Sequence, residues 1–222
     1  RQRQMCIRDS GGTGYNSNFI QEYNDYSIDL VDISKQMLKQ CQNSSINKVC
    51  KGMLEFLTVQ ESCCYDAIVC TWALMYEQPQ KVLNQCQRLL KNGGYLYILV
   101  NDQQTLPQIR KIYPKLLIEY VGSINKLMFD LPMPNNAQQL ERWAKKAGLK
   151  NCRVTSKKQE FYFTDWNRAA KFVTSTGALA GYDAMLDLKN EKIFNTLVEQ
   201  LQKFFTKPCI THHFVMGIFK KG

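Results

Sequence analysis

Apolar strand-like segments alternate with amphipathic helical segments along this chain, and this alternation limits its fold more than any other feature. Segment 65–74, YDAIVCTWAL, is apolar almost throughout and predicts a central strand. Segment 79–90 carries its apolar residues on one helical stripe, and segment 95–100, YLYILV, predicts the next strand. Strands that alternate with helices indicate a parallel sheet covered by helices, so we predict an α/β fold.

The rest of the chain continues this alternation. Further strands are predicted in SIDLVD, NKVCKGM, CRVTSKKQEFYF and HHFVMGIF, and helices in NSNFIQEYN, KQMLKQCQ, AQQLERWAKKAG, DWNRAAKFVTSTG and EKIFNTLVEQLQKFF. Ser34 and Asp165 are predicted to cap the helices that follow them. Residues 103–135 contain prolines and give only weak helical signals.

A glycine turn, GGTG at residues 11–14, precedes the first predicted helix. Glycines let the backbone approach a ligand closely, with free N–H groups directed at it. The turn lacks the third glycine of a G-x-G-x-x-G fingerprint, which disfavours a hydride-transfer enzyme. Asp32 ends the next strand 18 residues after Gly14, where a carboxylate can accept both hydroxyls of a ribose. An acid at the start of the following helix is the alternative, because Ser34 follows.

The neighbouring residues extend this predicted nucleoside site. Ile33 would pack beside an adenine, and Met53 and Leu54, which follow the third strand, could cover its other face. Thr71 and Trp72 end the fourth strand. They therefore fall at the carboxyl edge of the sheet, where open α/β sheets bind ligands.

Five motifs together resemble those of class I S-adenosylmethionine-dependent methyltransferases: GGTGY, IDLVDIS, GMLEF, YDAIVCTWALM and CQRLLKNGGYLYILV. The resemblance covers residues 10–102 and extends to the tail only in layout. It implies a Rossmann-like, seven-stranded, mostly parallel sheet with an antiparallel last strand and helices on both faces. It also implies that S-adenosylmethionine is the cofactor and that its binding residues are Gly11, Gly12, Gly14, Asp32, Ile33, Met53, Leu54, Thr71 and Trp72.

The first nine residues depart from this family pattern. Arg8 stands at its acidic position and Ser10 at its first glycine, so a cation lies where the cofactor amine would bind. The stretch RQRQMCIRDS also matches the translation of a transposase-type sequencing-library adapter. We therefore predict that residues 1–9 are a non-native leader and that residues 10–222 form a single methyltransferase domain.

The resemblance implies methyl transfer by in-line displacement, for which the protein mainly positions the partners and excludes water. It requires no catalytic metal, and we assign no general base. Of His212 and His213, at most one can face a pocket, because neighbouring strand residues face opposite sides; a structural role is favoured. Tyr76 and Glu77 are better placed, and Tyr76 is our candidate substrate-binding residue, which could form an aromatic wall with Trp72.

Two kinds of acceptor remain open. LVDIS, GMLEF and QRLLKNGG resemble protein N-terminal α-amine methyltransferases, but that family ends soon after the helix at residues 137–148. The longer tail favours a small-molecule methyltransferase whose segment 103–135 forms a substrate lid. Aromatic candidates for its pocket are equally credible as core residues: Phe129, Phe161, Tyr162, Trp166 and Tyr182. A non-catalytic interaction protein with a nucleotide-binding fold is the third reading.

Composition narrows the partners and the compartment. The net charge is +10, but the basic residues are spread along the chain, so we expect no nucleic acid partner. Nine cysteines in no metal or disulfide framework favour the reducing cytoplasm. We expect no membrane span, since no apolar run reaches about 18 residues. We also expect no signal peptide, since the N-terminus lacks an apolar core segment.

Overall fold

The structure is a computed structural model that describes most of the chain. Outside the description lie residues 1–2, 10–12, 24–25, 126–130, 176–178 and 180–181, together with the side chains of residues 3–9 and 183. Two predictions fall there in part: the cofactor-binding residues Gly11 and Gly12, and the pocket candidate Phe129.

Within the described residues, seven strands form one sheet. They are β1 (Arg3–Asp9), β2 (Tyr26–Asp32), β3 (Ile46–Cys50), β4 (Tyr65–Thr71), β5 (Leu90–Asn101), β6 (Leu149–Tyr162) and β7 (Cys209–Lys221). Their order is β3-β2-β1-β4-β5-β7-β6. β1 to β5 pair in parallel, whereas β7 pairs with β5 in antiparallel orientation. A mostly parallel sheet with an antiparallel last strand is thus confirmed.

Helices connect most of these strands. They are α1 (Tyr15–Tyr23), α2 (Lys35–Leu38), α3 (Met53–Val59), α4 (Pro79–Leu89), α5 (Pro107–Glu119), α6 (Ala137–Lys146), α7 (Trp166–Ser175), α8 (Tyr182–Met185) and α9 (Glu191–Phe204). Both predicted caps are confirmed. The Ser34 hydroxyl accepts the Met37 N–H at 3.3 Å, and Asp165 accepts the Arg168 N–H at 2.9 Å.

The sequence showed no clear signal for four of these elements, namely β1, α3, α5 and the short α8. β1 lies within the predicted leader, and its backbone pairs with β2 and β4 although it lacks the expected apolar run. α3 begins directly after Gly52. α5 contains Pro114 in its interior, and its buried face, which includes Ile109 and Leu116, stabilises it despite the lost backbone hydrogen bond.

Each face of the sheet packs against its own apolar layer. Strand order reverses between β1 and β4, and right-handed crossovers then place α1 and α2 on one face and α3 and α4 on the other. Leu30 of β2 packs in one cluster with Leu38 and Cys41, on the α2 side. The next residue, Val31, lines a small cavity with Met53, Phe56, Leu57, Ile68, Val69, Cys70 and Cys86.

The chain divides into two compact units. Unit 1 comprises residues 1–103, 132–157 and 214–222, and unit 2 comprises residues 104–131 and 158–213. Unit 2 has its own core, to which α5, α7 and α9 contribute; its fully buried residues include Ile112, Ala170 and Leu197. The sequence suggested one domain with a lid at 103–135. Most of that segment instead contributes to unit 2, and its role as a lid stays a prediction.

Candidate functional site

The carboxyl ends of the central strands meet at one edge of unit 1. Register pairs Asp9 of β1 with Thr71 of β4, and Thr71 in turn with Leu99 of β5. On the other side, Ile7 pairs with Leu30, so Asp32 ends β2 at the same level as Asp9. Because strand order reverses between β1 and β4, this edge is a topological switch point, where open α/β sheets form a ligand crevice.

Helix α1 begins at this edge through Gly14. Its backbone has φ of 76°, and its carbonyl accepts the Asn18 N–H at 2.7 Å. Two residues into the helix, the Asn16 amide donates to the Thr71 hydroxyl at 3.4 Å. This contact joins the start of α1 to the end of β4, on either side of the switch point.

Asp32 and Ile33 form the second part of the edge. The Asp32 side chain is 5% exposed, and its Oδ1 accepts the Ser34 N–H at 2.6 Å. Ser34 in turn caps α2, so the chain turns away from the sheet immediately after the carboxylate. Ile33 is 68% exposed, which is unusual for a large apolar side chain and provides an open surface beside the carboxylate.

The two residues predicted to cover the other face of a base differ in placement. Met53 is buried and lines the cavity between the sheet and helices α3 and α4. Its side chain is therefore directed into the core, because α3 starts at Met53 and its phase turns this residue inwards. Leu54 is half-buried. The structure thus brings Asp32 and Ile33 to the edge and gives the Met53 side chain a packing role.

Trp72 directly follows β4 in a strained backbone conformation. Its φ is 54°, which costs a non-glycine residue about 1–2 kcal/mol. The Trp72 N–H donates to the Leu99 carbonyl at 2.6 Å, and its ring meets the edge of Phe214 with centroids 5.6 Å apart. Backbone strain of this kind gathers at functional sites. Tyr76 follows in a short 3-10 turn, Leu74–Tyr76, and is 48% exposed.

Sequence reasoning missed four residues at this edge. Asn16 and Phe214 contact Thr71 and Trp72, as described above. Asn101 and Asp102, at the carboxyl end of β5, are 4% and 3% exposed although they are polar. The pattern that singled out Asp32, an acid at the end of an apolar strand, recurs with one intervening Asn in YLYILVND and could have identified Asp102.

The aromatic pocket candidates lie in unit 2 and have different environments. Trp166 is buried in the core beside Phe205, and Tyr182 packs on Tyr113 with ring centroids 4.6 Å apart. Tyr162 is exposed and donates its hydroxyl proton to Glu160. Phe161 is half-buried and meets the ring of His212 edge-on. Trp166 and Tyr182 therefore have packing roles.

Metal and membrane features are not found in the part of the chain that the structure describes. No group of three or more potential metal-ligating side chains (His, Cys, Asp or Glu) occurs among those residues. Their helices are all too short or too polar to cross a bilayer.

Comparisons with known proteins agree with this geometry. Residues 10–98 match the family model described as a methyltransferase domain. A malonyl-acyl-carrier-protein O-methyltransferase of Herminiimonas arsenicoxydans is 28% identical over 113 residues, which is 50% of this chain and 43% of the relative. The chain thus spans less than half the length of that curated relative.

Solved structures share the fold over the whole chain. A candidate sarcosine dimethylglycine methyltransferase of Galdieria sulphuraria has a TM-score of 0.60 and 16% identity, over 100% of this chain and 79% of its own. The (4+2)-cyclase SpnF has a TM-score of 0.61 and 12% identity, over 99% of this chain and 75% of its own. Geranyl diphosphate C-methyltransferase of Streptomyces coelicolor, in complex with S-adenosylhomocysteine, has a TM-score of 0.56 and 11% identity, over 100% and 73%.

Proposed function

We propose that this chain, a class I S-adenosylmethionine-dependent methyltransferase by its matched domain and its fold, transfers a methyl group to a small-molecule acceptor. S-adenosylmethionine is its cofactor, and when bound it supplies an electrophilic methyl group on a sulfonium. The protein's part is then to bind, to orient and to exclude water. The neighbours whose names include sarcosine and geranyl diphosphate support a small acceptor.

The residues at the carboxyl edge suit an adenosine. Asp32 offers a buried carboxylate that can accept ribose hydroxyls, and the exposed Ile33 beside it offers an apolar surface to adenine. The glycine turn that precedes α1 would approach the rest of the cofactor through its backbone. Thr71 and Trp72, across the switch point, would lie towards the reacting end. We therefore assign cofactor binding to the predicted residues, with Met53 contributing through packing.

The buried Asp32 carboxylate next to exposed Ile33 is the observation that carries this proposal. We expect the Asp32→Asn variant to bind S-adenosylhomocysteine about tenfold or more weakly, because hydrogen bonds to a charged acceptor contribute about 1.5–3 kcal/mol each. The amide oxygen of Asn can still accept the Ser34 N–H, so the turn into α2 is preserved. Isothermal titration calorimetry measures the affinity.

Asp66→Asn is the matched control for this experiment. Asp66 lies at the amino end of β4, away from the carboxyl edge, and pairs with Lys91 at 2.7 Å. We expect this variant to bind S-adenosylhomocysteine as the unchanged chain does. Equal affinities of the Asp32 variant and the unchanged chain would contradict the proposed site. If the chain does not bind S-adenosylhomocysteine at all, the alternative of a non-catalytic interaction protein replaces the proposed enzyme.

The acceptor is identified by transfer assays with methyl-labelled S-adenosylmethionine. Label in small metabolites supports the proposed function, and label on the free N-terminus of a short peptide supports the N-terminal α-amine alternative. Transfer has to be measured directly, because a cyclase shares the fold.

The eight cysteines whose side chains the structure describes are free thiols, which supports the proposed cytoplasmic location.

A further inference from the structure

Two aromatic side chains, those of Trp72 and Phe214, meet at the carboxyl edge of unit 1. Trp72 directly follows β4, and Phe214 of β7 pairs with Asn101 at the end of β5. Both residues belong to unit 1, as do all the residues that we assign to cofactor binding. A contact between this pair and a bound cofactor therefore lies within one compact unit.

Two contacts hold Trp72 in its strained position. Its φ of 54° lies in the left-handed region, which is unfavourable for any residue with a Cβ. The Trp72 N–H donates to the Leu99 carbonyl at 2.6 Å, and the indole meets the Phe214 ring at 74° with centroids 5.6 Å apart. The hydrogen bond involves backbone atoms only and can form with any side chain. Of the two contacts, the Phe214 ring is therefore the one that orients the indole.

The indole keeps a surface on which a ligand can bind. In an edge-to-face pair, each ring leaves at least one of its faces uncovered by the other ring. Trp72 is half-buried, so part of its side chain is accessible at the edge of the sheet. The face of a tryptophan ring attracts cations more strongly than that of tyrosine or phenylalanine, and the attraction increases where water is excluded. Trp72 can therefore recognise a positive charge without a carboxylate.

Strand order indicates which part of the cofactor extends towards Trp72. β3 lies beside β2 on one side, and β1 and then β4 follow on the other. In S-adenosylmethionine the ribose lies between the adenine and the sulfonium. With the ribose on Asp32 and the adenine beside Ile33, on the β3 side, the sulfonium extends across β1 towards β4. Neighbouring strands are about 4.8 Å apart, so the ends of β2 and β4 are separated by about 10 Å.

We propose that the indole of Trp72 recognises the positive sulfonium of S-adenosylmethionine, and that Phe214 is the positioning residue that orients the indole for this contact. The inference rests on the proposed function, because it requires the cofactor at this edge. It also assigns a role to a residue outside the matched methyltransferase domain, which ends at residue 98. The last strand then contributes to cofactor recognition as well as to the sheet.

S-adenosylmethionine and S-adenosylhomocysteine form a matched pair of ligands, because they differ only in one methyl group and the positive charge at sulfur. Isothermal titration calorimetry on the full chain gives the ratio of their two affinities. Trp72→Leu removes the ring, and we expect it to reduce the relative affinity for S-adenosylmethionine about threefold to tenfold, the effect of one cation–π contact. The affinity for S-adenosylhomocysteine should change by a smaller factor, since its sulfur is uncharged.

Phenylalanine variants test the positioning role. Phe214→Leu stays apolar but removes the ring that orients the indole, so the affinity ratio should fall in the same direction as in Trp72→Leu. Phe214→Tyr keeps the ring and should restore the ratio of the unchanged chain. Adding Phe214→Leu to Trp72→Leu should not lower the ratio further, because Phe214 acts through the indole.

Phe172→Leu is the matched control for Phe214→Leu. Phe172 of α7 is also half-buried against aromatic rings, with its centroid 5.0 Å from that of Phe161, but it lies in unit 2. Its replacement should leave the affinity ratio unchanged. A loss of the ratio in Phe172→Leu as large as in Phe214→Leu would show a general effect of lost ring packing and would contradict a specific role of Phe214.

Tryptophan fluorescence provides a second measurement, which uses the unchanged chain. A charge held against an indole alters its emission, so saturation with S-adenosylmethionine should change the emission differently from saturation with S-adenosylhomocysteine. Trp143 and Trp166 remain in Trp72→Phe, and in this variant the two ligands should give the same emission.

Three further results would overturn the inference: an unchanged affinity ratio in Trp72→Leu, an unchanged ratio in Phe214→Leu, or equal emission with both ligands in the unchanged chain. The last result does not depend on how a variant folds. A ratio that persists in Trp72→Leu would assign charge recognition to a carboxylate of the same edge, such as Asp102. If both ligands bind and the ratio does not depend on Trp72, this inference fails and the proposed function stands. If neither ligand binds the unchanged chain, the proposed function fails and this inference fails with it.

Discussion

Gly14 illustrates how a single backbone position restricts the entry into α1. Its φ of 76° disfavours any residue with a Cβ, and a Cβ placed there would lie 2.6 Å from the Cys41 Sγ and 3.3 Å from Leu30 Cδ2. Left-handed backbone costs about 1–2 kcal/mol, and overpacking costs about 1–3 kcal/mol more. We expect Gly14→Ala to lower the free energy of unfolding by the sum of these terms, as measured by urea denaturation.

Gly122→Ala provides the comparison for that prediction. Gly122 has no atom within 4 Å of a Cβ built on it and no left-handed φ. Its replacement should leave the free energy of unfolding within about 0.5 kcal/mol of the unchanged chain, as for most surface positions. If the two alanine variants unfolded at the same urea concentration, close packing around Gly14 would not be the reason for this glycine.

Individual site residues could be predicted only where a local pattern marks them. Asp32 ends an apolar strand and Ile33 follows it, and the structure places both at the carboxyl edge. Met53 was expected to cover a base, but its direction depends on where α3 begins, which the sequence did not indicate. Phe214 reaches Trp72 from the far end of the chain, and no local pattern records such a contact.

At the scale of elements, β7 depends on a close approach within one strand. Gly217 pairs with Ile98 of β5. A Cβ built on Gly217 would overlap the ring of Phe219, whose nearest carbon would lie only 2.5 Å from it. Phe219 is fully buried, and close packing around a buried ring leaves it little room to shift. We expect Gly217→Ala to destabilise the chain by about 1–3 kcal/mol, measured by urea denaturation.

A second substitution separates this packing effect from a general weakness of the strand. Met216→Ala changes the adjacent residue of β7, which is 45% exposed, and should cost much less. The Gly217→Ala, Phe219→Leu double variant should recover part of the lost stability, since a smaller residue leaves room for the new methyl group. A double variant that showed only the added losses of the single variants would contradict this explanation.

Elements were predictable where periodicity and end signals agree. α4 and α9 combine an apolar stripe with a clear start, and both are helices over nearly the predicted ranges. α5 was not recognised because Pro114 interrupts its pattern, and burial of one face compensates. β1 was not recognised because its residues lack an apolar run; its pairing with β2 and β4 uses backbone groups, which every sequence supplies.

For the whole molecule, the sequence indicated the sheet but not the division into two units. The core of unit 2 combines residues from 104–131 with residues from 158–213, and no composition change marks either boundary. Strands β6 and β7 also contribute residues to both units, so neither unit boundary in these strands coincides with the end of a secondary-structure element. Separate cores nevertheless allow separate opening, because each unit buries its own apolar side chains.

Two helix caps give a test of that independence. Asn190 begins α9 of unit 2, where its side chain accepts the N–H groups of Lys192 at 3.1 Å and Ile193 at 3.4 Å. Asn136 begins α6 of unit 1 and accepts the Gln139 N–H at 3.0 Å. Loss of such a cap costs about 1 kcal/mol, which corresponds to about a fivefold change in an opening equilibrium.

We expect Asn190→Ala to accelerate amide hydrogen exchange about fivefold in the core helices of unit 2, α5, α7 and α9, and to leave β1, β2 and β4 of unit 1 unchanged. Asn136→Ala should do the reverse, accelerating exchange in unit 1 only. Each variant is thus the control for the other, with the same residue change at the same helix position. Equal acceleration in both units by either variant would contradict this independence. It would mean that the two cores open together, because loss of one cap would lower the free energy of a single cooperative unfolding.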